Sequence, residues 1–191
     1  MGRDNFIVFL YGGKIHSSKR ITKMADKPLV WIVLGSTSDL PKLTESGIVA
    51  LMERAGLEIV LNVISNRRHA CDEWPAFINL ANEQLPEAVL FVGSGAAYGN
   101  NPGAFGWGIA HTRTLVLAVA LEGKTDPNGD QTLHSIIDDA VMPLALCAGR
   151  GLVGLKNASW IIIRQFGNPG ITATMFREFL ETKPAQVPYT G

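Results

Sequence analysis

The chain has 191 residues, and its 17 Lys and Arg balance 17 Asp and Glu, so no net field exists to gather nucleic acid. That length suits one well-buried domain. The apolar stretches are far too short to cross a bilayer, and Cys71 and Cys147 match no metal-ligand spacing and read as free thiols of a reducing compartment.

At the start of the chain, Phe6-Ile7-Val8-Phe9-Leu10-Tyr11 is a short apolar patch, followed by Lys14, Lys19, Arg20 and Lys23. A secretory signal would place its charges before the apolar core and a small-residue cleavage site after it. Met24-Ala25-Asp26-Lys27 reads as the start of the folded unit. The expected organisation is therefore a disordered extension over 1–23 and a single domain over 24–191. A cytoplasmic location is expected, with an organellar address carried by the basic extension as the alternative.

From residue 29 onward, apolar runs alternate with helical patterns. The expected elements are strand 29–34, helix 40–55, strand 58–64, helix 71–83, strand 88–92, helix 103–111 and strand 115–120. A Gly/Asp/Asn loop at 123–130 follows, then helix 131–139, a short apolar run 143–147, helix 152–166 and an amphipathic segment from Ala173 to Lys183. Strands that alternate with helices imply right-handed crossovers and a central parallel sheet covered on both faces, a three-layer α/β/α sandwich. In such sheets ligands bind outside the carboxyl ends of the strands.

Three of those ends carry unusual sequences. The first is Gly35-Ser36-Thr37-Ser38-Asp39, a small-residue turn between a strand and a helix. Unpaired amides at a helix start favour an anion, Gly35 allows close approach, Ser36 and Ser38 can donate hydroxyls to phosphate, and Asp39 can accept from a ribose hydroxyl. The same residues also suit an ordinary helix cap. The turn is neither a Walker A sequence nor a G-x-G-x-x-G fingerprint.

The second end, Ser65-Asn66-Arg67-Arg68-His69, sets two guanidiniums and an imidazole at the same edge. Arginine stays protonated and grips phosphate with paired hydrogen bonds, and the competing reading is a solvated basic loop. The third, Gly93 to Gly103, has little side-chain bulk before Tyr98, so a planar ring could lie against its main chain. Eleven residues, nine of them Gly, Ala, Asn or Pro, exceed the roughly 2–6 that such a connection needs.

Together, the Gly-Ser-x-Ser-Asp turn, the Ser-x-x-Arg loop and the Gly-x-Gly-Ala-Ala segment resemble the PurE family, the carboxyaminoimidazole ribonucleotide mutases and aminoimidazole ribonucleotide carboxylases of purine biosynthesis. The likeness runs from about residue 29 to 180 and includes Leu133-His134-Ser135-Ile136-Ile137 and Met142-Pro143. It implies a flavodoxin-like or Rossmann-like sandwich whose last helix packs on neighbouring subunits of a homo-octamer.

The resemblance also implies a ribonucleotide substrate with carbon dioxide or bicarbonate, and no metal or organic cofactor. Gly35, Ser36, Ser38 and Asp39 would hold phosphate and ribose, Ser65 and Arg68 would complete the phosphate site, and Gly95, Ala96 and Ala97 would face the base.

Two departures stand out. Where the family has Ser-Ala-His-Arg, this chain has Ser65-Asn66-Arg67-Arg68; where the family has Ala-Ala-His-Leu-Pro-Gly, it has Ala96-Ala97-Tyr98-Gly99-Asn100-Asn101-Pro102-Gly103. Both family histidines are missing. Carboxyl transfer needs a group that titrates near neutral pH, and arginine does not. His69 and Tyr98 are the candidate replacements, with His134 a further one, and each has a structural alternative as helix cap, packing residue or helix-face histidine. Arg67 could instead hold an added carboxylate or phosphate of a different nucleotide, or the chain could bind nucleotide without catalysis.

Overall fold

The longest uninterrupted apolar runs become the strands of one sheet. The computed structural model describes residues 8–9, 27–66, 69–94, 96–109, 113–121 and 146–182. In chain order the strands are β1 (Val8–Phe9), β2 (Leu29–Leu34), β3 (Glu58–Val63), β4 (Ala88–Gly93), β5 (Leu115–Ala120) and β6 (Leu146–Arg150). The helices are α1 (Leu40–Ser46), α2 (Ile48–Arg54), α3 (Glu73–Gln84), α4 (Ala96–Gly108), α5 (Gly151–Phe166) and α6 (Pro169–Thr182).

All the strand pairs are parallel, and the spatial order is β1-β3-β2-β4-β5-β6. The two-residue β1 lies against the outer edge of β3, with Val8 opposite Leu61 and Phe9 opposite Asn62. The five longer strands follow the flavodoxin-like order, in which the chain steps to one side after β2, returns past it, and continues on the other side from β4.

Side chains alternate along each strand, so each strand supplies both faces. Val30, Ile32, Leu34, Leu90, Val92, Leu117 and Val119 pack with Leu43 of α1, Ile48 and Met52 of α2, and Leu155, Ala158, Ile162 and Ile163 of α5. On the other face Trp31, Val33, Val89, Phe91, Val116 and Ala118 meet Phe77 and Ala81 of α3 and Phe105 of α4. Trp31 and Phe77 lie 5.2 Å apart, Phe77 and Phe105 5.4 Å, and Phe91 and Phe105 5.3 Å, between ring centroids. This aromatic chain ties α3 and α4 to β2 and β4.

The expected α/β sandwich is therefore present, with corrections to its parts. Helix 40–55 is two helices, because Gly47 takes a left-handed conformation at φ +67 and interrupts the ladder between α1 and α2. The expected loop over 93–103 is mostly helix: α4 starts at Ala96, not at 103, despite its Gly and Asn content. The run 143–147 becomes a strand at 146–150, and the last helix begins at Pro169. Of the earlier readings, loop 123–130, helix 131–139, His134 and Met142-Pro143 lie outside the described residues, as does the extension apart from β1.

Close backbone approach fixes the turn from β6 into α5. Gly149 has φ +109, and a Cβ added to Gly154 would sit 2.6 Å from the Gly149 carbonyl carbon and 2.9 Å from both its oxygen and Val119 Cγ1. The Gly149 carbonyl cannot yield without backbone movement. Gly154→Ala is expected to destabilise the fold by about 1–3 kcal/mol, the usual cost of overpacking. Urea unfolding would check this, and an unchanged midpoint would show that the turn adjusts freely.

Candidate functional site

Register levels three strand ends at one rim. Leu34 pairs with Val63 on one side and with Val92 on the other, and Ile64 N–H donates to Leu34 C=O at 2.9 Å. Just beyond these paired residues, Gly35, Ser65 and Ser94 leave the sheet from adjacent strands spaced about 4.8 Å apart. The strand order reverses between β2 and β4, where open α/β sheets form their crevice.

At the first corner, Ser36 is extended at φ −156 and ψ 153, and its Oγ accepts from Ser38 N–H at 3.3 Å. Asp39 N–H donates to Ser36 C=O at 3.1 Å, closing a single 3-10 turn over Thr37–Asp39. The cap is thus Ser36: Asp39 stands at the N-cap of α1 without a side-chain capping bond. Asp39 is only 6% exposed, which keeps a carboxylate against the rim. Because α1 has seven residues and a proline at its start, its dipole is short, and hydroxyls carry more of any anion binding here than a long helix would require.

The second corner is held from two directions. Ser65 is 6% exposed, and its N–H donates to His69 Nδ1 at 3.0 Å while its C=O accepts from His69 N–H at 2.9 Å. His69 C=O in turn accepts from Trp74 N–H at 2.8 Å, where α3 begins. Since Nδ1 accepts, the neutral ring carries its proton on Nε2, which lies 3.5 Å from Glu73 Oε2. The imidazole of this candidate proton carrier is thereby the clasp of its own loop.

From α4, Asn101 Oδ1 accepts the Asn66 N–H at 2.9 Å. Asn101 is wholly buried and its Nδ2 has no partner. Leaving such a group unsatisfied costs about 1–3 kcal/mol. Asn62, in the middle of an apolar strand, is likewise buried with Nδ2 unpartnered. Sequence reasoning named neither as a functional residue. Asn62 was visible as the one polar side chain in Ile59–Ile64, whereas Asn101 sits among turn-type residues that concealed it.

Gly35, Ser36, Ser38, Asp39, Ser65 and His69 are accordingly placed along one rim, and Ala96, Ala97 and Tyr98 occupy the start of α4 beside it. The side chains of these last three, and Arg67, Arg68 and Gly95 entirely, lie outside the described residues. Cys71 is exposed and Cys147 is half-buried; both are free thiols. No described helix is long and apolar enough to cross a membrane, and among the described residues no cluster of His, Cys, Asp and Glu is suited to hold a metal.

No protein-family model matches the chain. A comparison with characterised proteins does find a relative: the chain is 30% identical over 149 residues to an N5-carboxyaminoimidazole ribonucleotide mutase from Pyrococcus horikoshii, covering 77% of each sequence. The chain belongs to the PurE family. Similarity across that span agrees with the matching motifs at the three strand ends, and with a parallel α/β sheet that presents them together. Family membership places the chain within a PurE-like role in purine biosynthesis, and it implies a small nucleotide as the molecule acted upon.

The His69 geometry has a direct spectroscopic consequence. In nitrogen-15-labelled protein the neutral ring is expected as the Nε2–H tautomer, and an Nδ1–H tautomer would contradict the bond from Ser65. His69→Ala leaves that buried amide without its acceptor and is expected to lower stability by about 1–3 kcal/mol in urea unfolding.

Proposed function

We propose that this chain is a PurE-type enzyme acting on an aminoimidazole ribonucleotide. It would convert the N-carboxylated nucleotide to the ring-carboxylated form, or carboxylate aminoimidazole ribonucleotide with carbon dioxide or bicarbonate. The observation that carries the reading is the convergence of Gly35–Asp39, Ser65 and the start of α4 on one rim, in a chain 30% identical to a mutase.

In this reading Ser36, Ser38, Ser65 and Arg68 hold the phosphate, Asp39 accepts from a ribose hydroxyl, and the main chain of Gly95–Ala97 supports the base. Loss of the N-carboxyl group as carbon dioxide requires a proton delivered to nitrogen; attack by the ring carbon then requires that carbon's proton to be removed. His69 and Tyr98 are the residues proposed to move these protons. For His69 to move a proton the Ser65 N–H bond to Nδ1 must open, because while it is made Nε2 already carries the neutral ring's one proton and has no lone pair to receive another. A homo-oligomer is part of the proposal: Trp107 is 67% exposed, and Phe176, 51% exposed, meets Trp160 edge-on at 6.5 Å.

A second reading rests on Arg67. A fixed guanidinium where the family has a proton carrier favours a nucleotide with an added carboxylate or phosphate, or binding without turnover.

The test is to incubate the protein with N5-carboxyaminoimidazole ribonucleotide, and separately with aminoimidazole ribonucleotide and bicarbonate, while following ring-carboxylated product. Turnover above the uncatalysed rate is expected, with Arg68→Ala weakening nucleotide affinity about 10- to 100-fold, as loss of a charge-assisted bond does. No turnover but tight calorimetric binding of a more anionic nucleotide, together with mutase activity gained in Arg67→His, would move the conclusion to the second reading. No turnover and no nucleotide binding would remove both.

A further inference from the structure

The two stretches in which the chain departs from the family pattern are joined to each other. Asn66 stands in the altered Ser65-Asn66-Arg67-Arg68 corner, and Asn101 lies in the segment after Ala96-Ala97 that is two residues longer than the family's Ala-Ala-His-Leu-Pro-Gly. The Asn66 N–H donates to Asn101 Oδ1 at 2.9 Å, across 35 residues of chain. Asn101 is fully buried while its Nδ2 goes unpartnered, so its amide does not serve stability well: an apolar side chain would avoid burying an unused donor.

We infer that Asn101 is a positioning residue for the second corner of the site, fixing the main chain at Asn66. The neighbouring amide is held by a different side chain, since Ser65 N–H donates to His69 Nδ1. Two consecutive amides, at 65 and 66, are thus gripped by His69 from within the loop and by Asn101 from α4. Substitution of the family's Ala-His by Asn66-Arg67 and lengthening of the third corner are, on this account, one coupled change: the longer segment supplies the acceptor that steadies the altered loop.

The identity of the ligand in this inference rests on the proposed function, but the positioning claim does not. Three proteins separate them: the natural chain, Asn101→Leu, which removes the acceptor at similar volume, and Asn101→Asp, which keeps an Oδ1 acceptor and drops the unused donor. Amide hydrogen exchange in the unliganded proteins and calorimetric titration with aminoimidazole ribonucleotide are the two readouts.

Asn101→Leu is expected to speed exchange at Asn66 about tenfold with β2 and β4 amides unchanged, and to weaken nucleotide binding by a similar factor, while Asn101→Asp recovers most of both. A folded Asn101→Leu protein with Asn66 still protected, or with unchanged nucleotide affinity, would overturn the inference. If the leucine variant does not fold, Asn101→Ala gives the same comparison. If the natural chain itself binds no aminoimidazole ribonucleotide, the proposed ligand is wrong, and Asn66 exchange alone decides the positioning claim.

Discussion

The architecture depends on β2 being paired in parallel on both sides, with β3 at one edge and β4 at the other. Parallel neighbours cannot be joined by a tight turn, so each connection must cross a face of the sheet and bring a helix with it. Because the chain crosses in one direction after β2 and in the other after β3, α1, α2 and α5 cover one face and α3 and α4 the other. In open α/β sheets such a reversal is where a crevice forms at the carboxyl ends of the strands. Fold and site thus share one cause.

Within that frame the rim is where burial and polarity conflict. The sheet interior is apolar almost throughout, yet Asp39, Ser65 and Asn101 are buried polar residues placed at or beside the ends of β2, β3 and β4. Asn101 retains an unpartnered donor. Polar groups under such burial are costly unless they are engaged, and at the second corner the engagement is with the main chain of the loop itself: His69 with Ser65 and Asn101 with Asn66. The loops are shaped from beneath by side chains, which is how a site built on loops can hold a defined geometry.

The strands were legible because their runs are rich in Val, Ile and Leu and bounded by turn residues; β2 and β5 fall on the expected residues and β3 and β4 differ by one at an end. Helices were harder. The break at Gly47 depends on a left-handed φ that a single glycine in a helical pattern does not announce. α4 was read largely as loop because its Gly, Asn and Pro residues favour turns. Packing overrides that preference: Phe105 is buried between Phe77 and Phe91, and Gly108 lies so close to Ile78 that an added Cβ would come within 2.7 Å. The candidate corners were readable as three motifs, since serine, glycine and arginine announce themselves. Its internal bonds were not, because the Asn66–Asn101 contact exists only after α4 has docked on the sheet.

The most direct measurement is a crystal structure with aminoimidazole ribonucleotide bound. The account predicts the phosphate at the rim between the Gly35–Asp39 turn and the Ser65 corner, with the imidazole over the start of α4. A nucleotide seated away from the carboxyl ends of β2, β3 and β4, touching none of these corners, would contradict it.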